Sequence, residues 1–376
     1  MIHRKTTQMA DKLHKNLHLN KARAICLTAI ICTAIEAKSI LLADIANRMQ
    51  GKAKPNSKIR RLQHFFREIS LDPRQTALLI LTLIEKHQEP ITLALDRTNW
   101  TTRENDINML TLSVCTGDTG IPLMWKDLQS KGNSNTNERT EIINRFTSFF
   151  GIEKVKCLIC DREFIGKQWF SWLQKRNIPF VCRLKGNMLV EHKGKKTAIK
   201  RFFHQLSNGE SLDLGVRRIC GVLLHVCAVR TKAGDLIILG SQGISGVEAS
   251  EMYLRRWNIE TGFSQLKTHG FNVESTRLRG AGKLDLLFSV LAISMAWCYS
   301  CGDASVRVVP IRLLRHGRLE QSVFRRGLDL LCSWFLGVDS VFRVLFRRLF
   351  AFFKRALSFV GSVFPAGALQ RVVNRH

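Results

Sequence analysis

The sequence predicts an α/β fold: a mixed sheet with helices on its faces, a strand-rich insertion, and an all-helical unit in front. Three observations predict it. Apolar residues recur at helical spacing up to about residue 85. From residue 90 the period shortens to that of strands. Three strand runs are then followed by helix, strand, helix and strand, an order that suits a mixed sheet.

Residues 1–85 hold "ARAICLTAIICTAI" and "SILLADIANRM", both helically spaced, and "KIRRLQHFFREI", a basic amphipathic helix. Such a unit is either an ordinary bundle with a charged face or a DNA-docking domain. "ITLALD" (91–96), "INMLTLSVCTG" (107–117) and "IPLMWKDL" (121–128) read as three strands. Asn135 with Glu138 caps the helix "ERTEIINRFTSFF", and Gly151 stops it. "KVKCLICD" is a fourth strand, "GKQWFSWLQKRN" a helix and "PFVCRLKG" a fifth strand. Residues 188–244 form the strand-rich insertion, with "RRICGVLLHVCAV" and "LIILGS" as its clearest runs. Ser245 and Glu248 make a capping-box pattern for one helix running to about His269, closed by Gly270. Another helix runs from about Gly282 to Tyr299. No internal repeat is visible.

Composition bounds the function. The chain carries 58 Lys+Arg against 30 Asp+Glu, a formal net charge of +28, and 45% hydrophobic residues. It can bury a core, and it calls for a polyanionic partner, nucleic acid ahead of an anionic membrane surface. That charge supplies affinity and salt dependence, not sequence specificity. Eleven cysteines have no regular spacing. Cys157 and Cys160 face opposite sides of a strand, so they read as reduced core thiols rather than zinc ligands. No signal peptide is expected, and the apolar run Leu286–Trp297 is too short to cross a bilayer.

Two strands end on a carboxylate, "LALD" on Asp96 and "LICD" on Asp161. A lone carboxylate there is usually a turn or cap residue. Two on neighbouring buried strands repel one another unless a cation lies between them, and oxygen donors suit Mg²⁺ or Mn²⁺. A third ligand is offered by "YLRRWNIETGFSQLK". At helical spacing Tyr253, Arg256, Glu260 and Lys267 fall within about 60° of arc. The bland reading of that edge is a solvated charged face.

The spacing Tyr253-x2-Arg256-x3-Glu260-x6-Lys267 resembles the Y-x2-R-x3-E-x6-K signature of the IS4 family of DDE transposases. "LALDRTNW" (93–100) and "LICDREFIG" (158–166) resemble the surroundings of that family's two aspartates. The resemblance covers roughly 85–335. It implies an RNase H-like catalytic core in two parts, 86–187 and 245–335, interrupted by the β-rich insertion 188–244. It gives Asp96, Asp161 and Glu260 the catalytic, metal-holding roles, with two Mg²⁺ or Mn²⁺ ions. Tyr253, Arg256 and Lys267 would grip phosphates. It also implies cleavage at terminal inverted repeats, transfer of 3′-hydroxyl ends to target DNA, and a hairpin intermediate with a flipped base. In some relatives a Trp of the insertion holds that base. Residues 188–244 contain none, leaving Phe202, Phe203 or Trp257 as alternatives.

Arg97, Asn99 and Trp100 follow the first aspartate and could contact DNA, with Trp100 favoured as a core anchor. Glu163 is either a spare ligand or a structural hydrogen-bonding group. The 336–376 tail is basic and amphipathic, suited to dimerisation, DNA contact or lipid. The expected partners are inverted-repeat and target DNA, in a homodimeric synaptic complex, with no small-molecule substrate and no membrane. The expected setting is the bacterial cytoplasm at the nucleoid. An RNase H-fold nuclease without strand transfer, or a non-catalytic basic DNA-binding protein, would share part of this pattern.

Overall fold

The computed structural model describes residues 2–101, 106–192, 194–254, 256–267, 270–315 and 319–336. It resolves into two compact units. One comprises the described residues of 1–88 and 264–376, the other Glu89–Phe263.

The first unit is helical. Its N-terminal part holds α1 (Ile2–Asn16), α2 (Lys21–Ala37), α3 (Leu42–Arg48), α4 (Pro55–Glu68) and α5 (Pro73–Leu83). Local signals set their starts. Asn20 caps α2 by accepting from the Arg23 amide, and Asp72 caps α5 by accepting from Gln75, with Pro73 at the first helical position. In α4 the buried face is Leu62, Phe65 and Phe66, while Arg60, Arg61, His64 and Arg67 face outward.

The unit's C-terminal part holds α10 (Ala281–Val306) and α11 (Val323–Leu336). Helix α10 is longer than the sequence run suggested. Its 26 residues are long and apolar enough to cross a membrane by length and composition, which corrects the shorter expectation. Its apolar window is 94% buried within the fold, where it packs on α2, α4, α5 and α11. Two glycines let α10 and α11 meet at backbone distance. A Cβ on Gly302 would lie 1.9 Å from the Val323 carbonyl oxygen, and one on Gly327 would lie 1.7 Å from that of Cys298. Residues 337–376, the basic tail of the sequence reading, lie outside the described residues.

The second unit is built on an eight-stranded mixed sheet of order β3-β2-β1-β4-β5-β10-β9-β8. Strand β1 (Ile91–Thr101) pairs antiparallel with β2 (Asp106–Cys115), which pairs antiparallel with β3 (Gly120–Asp127). On its other side β1 runs parallel to β4 (Val155–Cys160), which runs parallel to β5 (Phe180–Arg183). Three antiparallel strands continued by two parallel ones is the RNase H-like arrangement. Helices α6 (Thr136–Phe150) and α7 (Lys167–Lys175) make the crossovers. The Asn135–Glu138 capping box forms in full, with both reciprocal hydrogen bonds.

The insertion does not stand apart from this sheet. A hairpin of β6 (Leu189–His192) and β7 (Lys195–Ala198) forms a small sheet of its own. Strands β8 (Ser211–Ile219), β9 (Val222–Arg230) and β10 (Leu236–Gln242) instead extend the main sheet, β10 pairing antiparallel with β5. Buried Val226, Cys227, Ile237 and Leu239 give these strands apolar positions continuous with the core.

The helix expected over 245–269 is two helices. Helix α8 (Gly246–Leu254) and α9 (Trp257–Leu266) are distinct, with Arg256 in a turn just before α9. The Arg256 amide reaches back only three residues, to the Tyr253 carbonyl at 2.8 Å. Beyond α9, Gly270 is required. A Cβ there would sit 2.2 Å from the Gln265 carbonyl oxygen, which accepts from the Phe271 amide. Residues from 264 onward pack with the N-terminal helices, so the stretch 245–335 is divided between the two units.

Candidate active site

Strand alternation decides which side chains share a face. Ala94, Ile159 and Val181 belong to one core cluster with Ala249, Met252 and Tyr253 of α8. Two residues further along each strand, on the same face, come Asp96, Asp161 and Arg183. The parallel registers Leu95↔Cys160 and Cys160↔Cys182 bring those three positions side by side where the parallel pairing stops. Asp96 is not the end of its strand, as the sequence suggested. Strand β1 continues to Thr101 because β2 pairs with it that far.

Helix α8 and the turn after it close the face. The Tyr253 hydroxyl donates to Asp161 Oδ1 at 3.0 Å. Arg256 Nη2 donates to Glu260 Oε1 at 2.7 Å, and its Nη1 lies 3.7 Å from Asp96 Oδ2. One guanidinium thus joins the first and third carboxylates, and one phenol holds the second. Glu260 is in the first turn of α9, half exposed. That helix approaches closely because residue 262 is Gly. A Cβ there would lie 2.1 Å from the Gly120 carbonyl oxygen.

The electrostatics are those of a buried acidic centre. Burial pushes the Asp96 carboxyl up to about 7. Its hydrogen bond from the Arg97 amide and the charge of Arg256 pull the other way, while Glu163 and Asp161 add to the rise. Burial raises the Tyr253 hydroxyl far above the ordinary phenol value, so it remains a proton donor toward Asp161. For Arg256, burial acts to lower the pKa, but the neighbouring Asp161 and Glu260 carboxylates outweigh it and Arg256 stays a cation.

Arg97 turns its guanidinium to protein acceptors. Nε and Nη2 fork onto Glu163 at 2.8 and 2.9 Å. Nη1 donates to Asn108 Oδ1 and to the Gly132 carbonyl, and Nη2 also reaches Asn133 Oδ1. Glu163 takes the hydrogen-bonding role the sequence offered for it. Asn108 and Asn133 carried no signal, being 11 and 36 residues from Arg97 along the chain. Arg183 was also missed, although β5 ends on it as "LICD" ends on Asp161. Trp100 is buried at the core. The Trp257 side chain lies outside the described residues. Lys267 belongs to the helical unit, where it pairs with Glu274 at 3.4 Å. All eleven cysteines are free thiols, nine of them buried.

The Transposase DDE domain family matches residues 87–297, more than half of the chain. The chain belongs to that family. The DDE domain therefore contains the whole carboxylate-bearing face just described. No curated protein matches the chain. A solved structure of the piggyBac transposase synaptic complex with hairpin DNA aligns with 91% of this chain and 76% of that one, at 12% identity and a TM-score of 0.41.

DDE domains use divalent metal ions. Among the described residues no three Asp, Glu, His or Cys groups lie close enough together to hold one as they stand. The donor set nevertheless fits such an ion. Asp96 and Asp161 share one face, burial keeps the Asp96 carboxyl raised although Arg256 partly offsets it, and the carboxylate of Glu260 is tied to that same cation.

Proposed function

We propose that the chain is the transposase of an insertion sequence of the IS4 kind. It cuts DNA at terminal inverted repeats and passes the freed 3′-hydroxyl ends to a target. The observation that carries this reading is the Asp96–Arg256–Glu260 link standing beside the Tyr253–Asp161 hydrogen bond on one face of an RNase H-like sheet.

Each residue has a role in this reading. Asp96, Asp161 and Glu260 would hold two Mg²⁺ or Mn²⁺ ions, whose chemistry is to sharpen a water or 3′-hydroxyl as nucleophile and steady the departing 3′-oxygen. Tyr253 orients Asp161 through its hydroxyl. Arg256 balances Asp96 and Glu260, and in this reading it would exchange them for a phosphate. Lys267 would add a phosphate contact, and Phe202, Phe203 and Trp257 are the aromatics offered for stacking a displaced base. Arg97, whose donors are committed to Glu163, Asn108, Gly132 and Asn133, holds the loop that enters α6 and sets the backbone amide on Asp96. A dimer suits the reaction because two ends must be brought together.

The test uses the full chain, Mg²⁺ and a duplex carrying the inverted repeats that flank its coding region. The wild type is expected to cut at the repeat end and join the 3′-end to a target plasmid. Asp161→Asn and Glu260→Gln should keep DNA affinity and lose cutting by on the order of 10²–10³-fold. Cutting without joining would make the chain a nuclease of the same fold. Near-wild-type cutting by both variants would overturn the carboxylate assignment.

A further inference from the structure

A second basic feature lies in the helical unit, outside the DDE chemistry. A cleft of about 580 Å³ opens between α3, α4 and the segment leading into α10. Its rim carries Arg67 and Gln63 from α4, and Arg277, Arg279 and Lys283 from the other wall. Its floor is apolar, with Ile59 and Leu278 among the lining side chains. No carboxylate lines it among the described residues. The acids near it in sequence have partners, Asp285 of α10 included, and so does Arg279 on the rim. Asp44 accepts from Ser39, Glu274 pairs with Lys267, and Glu68 pairs with Arg67 at the surface. Arg67 and Glu68 are both exposed, so that pair is weak enough to yield to a stronger anion.

The α10 end of the cleft is also open. Gly280 occupies the cap position with no side-chain cap, and the first turn of this 26-residue helix has no acidic residue. A Cβ on Gly280 or Gly282 would meet nothing within 4 Å. Four cations, an uncovered positive helix end and free approach over two glycines all favour the same occupant. The apolar floor suits the sugar rather than the charge of that occupant.

We propose that this cleft binds the sugar–phosphate backbone of one strand of duplex DNA, a non-specific anchor separate from the carboxylate site. The proposal rests on the transposase reading for its choice of DNA as the polyanion. Arg277, Arg279 and Lys283 each meet a phosphate oxygen, with Arg67 on the opposite rim.

Two triple variants of the full chain test it. R277Q/R279Q/K283Q empties one wall of the cleft. K195Q/K196Q/K200Q removes the same charge from exposed positions in or beside the β6–β7 hairpin. Affinity for a mixed-sequence duplex is measured as salt is raised, after equal melting temperatures have been checked. The cleft triple should lower the magnitude of the salt slope by about 2–3, while the hairpin triple leaves it near wild type. A cleft triple that loses no more than the hairpin triple overturns the proposal and leaves the DDE reading intact. A wild type that binds only anionic phospholipid vesicles, and no duplex, overturns both. A cleft triple with the expected loss, in a chain that cuts no DNA with Mg²⁺, keeps the cleft and removes the catalytic reading.

Discussion

Asp96 is the residue on which the site's electrostatics turn. Its ordinary value is 3.8, and burial carries it to about 7 in the folded chain. A raised folded value favours the protonated form. The stability this carboxyl contributes is therefore complete below pH 3.8 and is lost as pH rises through 7. In chelator, the wild type should lose on the order of 4 kcal/mol from this group between those limits. Asp96→Asn should flatten that part of the melting-temperature profile; an unchanged slope would remove Asp96 as its source. The Arg97–Glu163 fork gives a second expectation. Both side chains are only about one-fifth exposed, so Arg97→Ala leaves a carboxylate without its cation. Denaturant titration should show a loss of roughly 2–4 kcal/mol, and a change under about 0.5 kcal/mol would mean that the fork is not structural. Both aspartates were legible in the sequence because strand alternation is local. The partners of Arg97 were not, because they are set by which loops meet.

At the scale of elements, glycines decide how closely helices approach. Gly262 lets α9 lie against the β2–β3 turn, and so fixes where Glu260 stands. Gly262→Ala should push α9 outward and reduce cutting at least tenfold while DNA affinity is kept; equal cutting would show that this approach does not position Glu260. Gly302 and Gly327 do the same for α10 and α11, and Gly302→Ala should cost about 1–3 kcal/mol in thermal unfolding. The capping box at Asn135 and the proline at the start of α5 could be read directly, since each depends on neighbours within four residues. The break between α8 and α9 could not. Helical periodicity continues through Arg255 and Arg256, and what stops the helix there is a turn that leaves Arg256 facing Asp96 and Glu260. The full length of α10 was hidden for a related reason. Gly282, Asp285, Gly302 and Asp303 dilute the apolar run, yet other helices bury most of it.

For the whole molecule, the excess of 28 positive charges predicts that binding to any polyanion, the proposed DNA included, weakens steeply as salt is raised. The α/β class and the succession of strands and helices along the chain up to β5 followed from periodicity; the order of the strands across the sheet did not. That β8–β10 would extend the same sheet did not, because any free sheet edge can accept a strand and the sequence does not name the edge. The central claim is that Asp96, Asp161 and Glu260 act together as one metal-holding centre. Anomalous diffraction from crystals of the chain bound to end DNA and soaked in Mn²⁺ tests it most directly. The account predicts metal peaks in contact with carboxylate oxygens of all three residues, lost in Asp96→Asn. Metal bound elsewhere, or with Glu260 still held by Arg256 and touching no ion, would contradict it.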